Sequence, residues 1–186
     1  MFFKAVLSAA IAATSVLAAP LKARASDSFG PSDIWLYSVR DGAISATSRG
    51  EIYKNTGNQG KDITTLLTFT YPDASEGLQC HFEFHLDSTA GVGGSKKLDL
   101  FTSNSPAPGP TSGWGPGNQR NIHLGRLSVD VDSYATWDAT YSTYLTEKTP
   151  CKAPGTTEGF ELVGVYDNDS ITWNPDLAGL RIVYSS

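Results

Sequence analysis

The chain has 186 residues and a formal net charge of −5. That mildly acidic balance argues against a nucleic-acid binder and against a protein held on anionic membranes by a basic surface. Eighteen glycines, ten prolines and a single methionine point to short strands joined by turns, and so to an all-β class.

Met1–Ala18 reads as a secretory signal peptide. Lys4 gives a positive start, Ala5–Leu17 a small apolar stretch, and Val16-Leu17-Ala18 ends on a small residue at the cleavage position. The stretch is too short to span a bilayer. Cleavage after Ala18 is favoured, because cutting after Ala19 would place Pro20 just past the scissile bond. Loss of Lys4 takes the net charge from −5 to −6. Residues 19–33 follow as a short leader, with Leu21-Lys22-Ala23-Arg24 as a candidate pro-segment, and 34–186 as one domain. No second apolar run occurs, so no membrane span is expected.

Ile34–Val39 reads as the first strand, and Asp41-Gly42 as a turn. Ile44–Thr47 and Glu51–Tyr53 are short extended segments, and Asn55–Gly60 is a loop. Leu66–Tyr71 is a β-branched and aromatic strand stopped by Pro72. Leu78–Leu86 alternates strictly, with Leu78, Cys80, Phe82, Phe84 and Leu86 on one face and Gln79, His81, Glu83 and His85 on the other. These two strands are expected to pair as a central antiparallel hairpin. Gly91–Gly94 reads as a loop and Lys97–Phe101 as a strand. Thr102–Arg120 holds four prolines and four glycines and is expected to be a long surface loop with Trp114 near its tip.

Ile122–Val131 is a strand kinked at Gly125, and Tyr134–Tyr144 is ambiguous. Gly155–Gly159 and Asp167–Asp169 are turns around the strand Phe160–Tyr166. Ile171–Trp173 and Leu180–Tyr184 finish the chain. About nine strands with turn signals every 8–12 residues, roughly, predict a two-sheet antiparallel β-sandwich, with a barrel as the lesser alternative.

Cys80 and Cys151 are the only cysteines. An even count in an exported chain predicts a disulfide between them, closing a loop of about 70 residues. Asn168-Asp169-Ser170 is an N-glycosylation acceptor with the glycan on Asn168; the same residues also suit an unmodified Asx turn.

Chemistry-bearing groupings are few. His81 and His85 share a strand face, but their Cα atoms lie about 13 Å apart, too far to share one ion. Only His81 with Glu83, helped by a distant residue such as His123, could chelate. Asp130, Asp132, Asp167 and Asp169 are oxygen-rich but match no calcium loop. No metal site, cofactor or catalytic residue is therefore assigned. No nucleophile elbow or phosphate loop is present. Of the four tryptophans, Trp35, Trp137 and Trp173 are expected in the core, while Trp114 on its Pro/Gly loop is the candidate ligand-binding residue.

Three groups of residues carry a family resemblance. They are Cys80-x-Phe82-x-Phe84 after the strand Leu67-x-Phe69-x-Tyr71-Pro72, Pro150-Cys151 with a Gly-rich turn before Phe160-Glu161-Leu162, and Ile171-x-Trp173 before Gly179-Leu180-x-Ile182-x-Tyr184. Together, from Ile34 to Tyr184, the chain resembles the fungal "ubiquitin 3 binding protein" C-terminal domain family, the But-two domain. The resemblance implies a fungal source, a β-sandwich and a Cys80–Cys151 disulfide, and it supplies no catalytic residues. The family takes its name from binding the activating enzyme of a ubiquitin-like modifier inside the cell. A signal peptide and an oxidised cysteine pair instead direct this chain outside the cytosol. The expected function is that of a secreted, non-enzymatic protein of the cell wall, cell surface or medium. It would bind a polysaccharide or a host or cell-surface protein. Two alternatives stand beside it. One is a glycan-active enzyme using carboxylates among Glu51, Glu83, Glu147, Glu158 and Glu161. The other is an intracellular adaptor of a ubiquitin-like pathway, which requires that the leader not direct export.

Overall fold

Alternation of apolar side chains sorts the strands into two antiparallel sheets packed face to face. A computed structural model of the chain describes residues 27–186; the expected signal peptide and the Leu21–Arg24 segment lie outside them. In chain order the strands are β1 (Asp27–Phe29), β2 (Asp33–Ser38), β3 (Ile44–Ala46), β4 (Gly50–Asn55) and β5 (Ile63–Thr70). Next come β6 (Gln79–Leu86), β7 (Gly91–Gly94), β8 (Lys97–Ser103), β9 (Arg120–Ser128) and β10 (Ser133–Tyr134). The last are β11 (Thr136–Thr140), β12 (Thr149–Pro150), β13 (Thr157–Gly164), β14 (Asn168–Trp173) and β15 (Gly179–Ser185). A 3-10 turn at Asp73–Ser75 is the one helical element among the described residues. No helix there is long and apolar enough to cross a membrane.

The smaller sheet runs β1-β15-β6-β10, with β12 also on β6. The larger runs β11-β9-β8-β13-β5-β4-β14-β7, with β2 on β5 and β3 on β2. The fold is thus an all-β, two-sheet antiparallel sandwich. A strand earlier than the expected first one, β1, pairs with β15 near the end of the chain.

The hairpin expected between the Leu66–Tyr71 and Leu78–Leu86 strands does not form. β5 lies in the large sheet and β6 in the small one, so the chain crosses the sandwich at Pro72–Gly77. Both strands still bury their apolar faces, now toward each other. Phe69 of β5, Phe160 of β13 and Phe82 of β6 meet edge-to-face, with ring centroids 6.1, 5.8 and 4.9 Å apart. Such pairs add about 0.5–1.5 kcal/mol each beyond the area they bury. Gly91–Gly94, expected to be a loop, is instead edge strand β7, aligned on β14 from Gly91–Thr172 to Gly94–Asp169.

Two devices close the fold. The disulfide joins Cys80 on β6 to Cys151 beside β12, with Cα atoms 4.9 Å apart. Asp169, expected in a turn, sits fully buried in β14. Its carboxylate accepts hydrogen bonds from Ser95 Oγ at 2.8 Å, Lys96 N–H at 2.8 Å and Val165 N–H at 2.8 Å. One buried carboxylate therefore fastens the β7–β8 turn to the β13–β14 turn.

Candidate binding surface

The polar face of β6 looks out from the small sheet. His81, Glu83 and His85 stand on it, opposite Val183, Arg181 and Gly179 of β15. Glu83 Oε1 approaches His81 Nε2 at 3.4 Å. Beyond β6, the short strand β10 sets Tyr134 opposite His85, and the two rings pack 4.8 Å apart.

Tyr134 is 66% exposed and borders three adjoining depressions. The largest, about 540 Å3, opens between the sheets and is lined by His81, Glu83, Tyr134, Trp137 and Thr146, with Phe82, Phe84, Leu127 and Leu180 at its floor. The second, about 370 Å3, runs over the outer face past Glu83, His85, Arg181, Ser28 and Leu177. The third, about 350 Å3, lies by Lys96, Lys97, Ser128 and Asp130. An exposed ring with polar groups on every side suits a ligand that has both flat apolar faces and many hydroxyls.

Trp137, expected in the core, is half-buried in this cleft wall. Gly125 makes its position possible. A Cβ there would come within 2.8 Å of the Trp137 ring. The β8–β9 register also skips Leu124 between the Leu100–Gly125 and Phe101–His123 pairs, which is the kink that a bulge beside glycine produces. Trp173 is in the core as expected, 3% exposed.

Trp114 lies on the expected loop and is 59% exposed. The loop is not a free excursion. Thr111 and Ile44 exchange backbone hydrogen bonds of 2.9 and 3.1 Å, and Trp114 rests against Gly42 of the Asp41-Gly42 turn. Beneath the loop a cavity of about 20 Å3 lies beside Tyr37 and Glu161, room for about one water. Asn168 is exposed at the start of β14, as is Ser170.

Three of the carboxylates considered for hydrolysis, Glu161, Glu158 and Glu51, have separate partners. Glu161 is held by Arg120 and Thr64. Glu158 accepts from both Tyr71 and Tyr144 hydroxyls. Burial first, then the neighbouring Tyr144 hydroxyl and after it Glu158, push the Tyr71 phenol far above its ordinary range, so it stays a donor. Glu51 pairs with Arg49 at 2.9 Å. Glu83 is the one carboxylate lining the 540 Å3 cleft. His123, weighed as a distant ligand for His81, lies on β9 of the other sheet. Its Nε2 is 3.3 Å from Asp99 Oδ1, and its ring stacks on Phe101. Among the described residues, no three His, Cys, Asp or Glu side chains converge as a metal site. Neither a protein-family model nor a curated protein matches the chain.

Proposed function

We propose that the chain is a secreted, non-enzymatic β-sandwich of the fungal cell surface or medium that binds glycan through the surface around Tyr134. The observation that carries this is the placement of one exposed aromatic ring at the meeting of three depressions, with Trp137 in the wall of the largest. Sugars offer apolar C–H faces to aromatic rings and hydroxyls to surrounding polar groups. The resemblance to the But-two domain supports the fungal setting, and the leader and disulfide support export. A single cleft carboxylate favours binding over glycoside hydrolysis, which uses two carboxyl groups about 5–10 Å apart.

The test is retention on insoluble chitin, β-glucan and pectin. Tyr134→Ala and Trp137→Ala are expected to lose retention while Trp114→Ala keeps it. Loss in Trp114→Ala alone would move the site to the loop, and release of reducing sugar would replace binding with hydrolysis. Recovery of a chain starting at Ala19 from culture medium tests export.

A further inference from the structure

The proposed glycan surface also carries a cation whose setting bears on the class of sugar. Arg181 projects from β15 into the 370 Å3 depression beside Tyr134 and His85. Its Nε donates to Ser28 Oγ of β1 at 3.0 Å, which holds the guanidinium plane. Its register partner Glu83 instead sets Oε1 3.4 Å from His81 Nε2. Among the described residues no carboxylate comes within ion-pair distance of Arg181. A guanidinium with its rear nitrogen already bound presents its terminal nitrogens as a fork that matches a carboxylate.

Resting on the glycan-binding proposal above, we propose that this surface selects acidic glycans, chains whose sugars carry a C5 carboxylate. Tyr134 stacks on a face of the uronate ring, and Arg181 pairs with its carboxylate. A neutral sugar satisfies the ring and leaves the guanidinium without a charged partner. The overall charge, −5 for the full sequence and −6 without Lys4, does not oppose this at contact range, because acids beyond about 8 Å are screened at physiological salt. The nearer Glu83 is turned toward His81.

The experiment compares polygalacturonate with its fully methyl-esterified form, the same chain with the charge removed, and with a neutral β-glucan and dextran sulfate. Wild type is expected to bind the free acid at least about tenfold tighter than the ester, a step of about 1.4 kcal/mol. Arg181→Gln is expected to erase that ratio, while Tyr134→Ala weakens both forms together. Arg181→Lys, which keeps the stem and the charge, is read in its place if the glutamine variant melts early; it is expected to fall between the two. An unchanged acid-to-ester ratio in Arg181→Gln overturns the selectivity and leaves glycan binding standing. So does equal binding of dextran sulfate and polygalacturonate, which would mark a general polyanion contact. Retention on neutral β-glucan alone has the same effect. No retention on any chain overturns both proposals.

Discussion

Arg120 and Glu161 meet in a two-bond pair on the large sheet, Nε to Oε2 at 3.0 Å and Nη2 to Oε1 at 2.7 Å. They come from β9 and β13, with β8 between them. The Glu161 side chain is 2% exposed and that of Arg120 27%. Removing the cation leaves a buried carboxylate with Thr64 as its remaining partner, at 2.7 Å. Arg120→Ala is expected to cost about 3 kcal/mol, the lower end of the range for a broken buried pair, because Arg120 is partly hydrated. Chemical denaturation measures it. A loss under about 1 kcal/mol would mean that the pair behaves as a surface bridge.

The disulfide spans 71 positions. In the chain-entropy account, closing a loop of that size stabilises by about 4 kcal/mol. For a domain of this length that corresponds to a fall of about 10 °C in Tm on reduction or in Cys80→Ala/Cys151→Ala. Scanning calorimetry with and without reductant gives the number. An unchanged Tm with both thiols alkylated would show that the crosslink contributes nothing.

Trp173 lies between two glycines. A Cβ on Gly50 would sit 1.9 Å from Trp173 Cε2, and one on Gly179 would sit 2.4 Å from its Nε1. Gly50→Ala is therefore expected to destabilise by about 3 kcal/mol through overpacking. The double variant Gly50→Ala/Trp173→Phe should lose less than the sum of its single changes, because the smaller ring makes room. Strict additivity in denaturant melts would count against contact between the two sites.

Asp62 links acid pH to stability. Burial raises its pKa, but hydrogen bonds from Asn58 and Lys54 and from the Asn55 N–H outweigh it, and the net shift is downward. The unfolded carboxyl therefore takes up a proton first as pH falls. The stabilisation is complete above the unfolded value of about 3.9 and is lost as pH drops through the lower folded value. Asp62→Asn is expected to flatten the acid limb of a Tm-against-pH curve between about pH 5 and 2 and to leave its neutral slope unaltered. An acid limb identical to wild type would remove Asp62 from the account.

Strand identity was legible where alternation was strict, and pairing was not. Leu78–Leu86 announces which of its faces is apolar, yet that face is buried equally well in a hairpin or across a sandwich from Phe69 and Phe160. Local periodicity reports a face and is silent about the neighbour. Gly91–Gly94 failed for the opposite reason. Its glycines signal a loop, and its strand state is imposed by pairing to β14. Cys80 and Cys151 were legible because two cysteines allow one pairing. The proposed binding surface was not. Tyr134 falls in a segment of mixed pattern, and its exposure depends on a two-residue strand that sets it opposite His85, forty-nine positions earlier in the chain. Trp137 could be read only with Gly125, since the space that one needs is the side chain that the other lacks.

Strand β1 covers Ile182–Tyr184 of β15 with three residues, and its own Phe29 packs on Phe69, Tyr71 and Tyr184. An edge strand stripped of its neighbour is a template for another chain's strand. Proteolytic trimming that stopped before Asp27 would leave this cover in place. Trimming past Phe29 would open both a row of backbone donors and acceptors and a ring-sized socket, the two features a donated strand needs. The three residues Asp27–Phe29 thus close one edge of the small sheet, and a chain cut beyond them would present that edge to solvent.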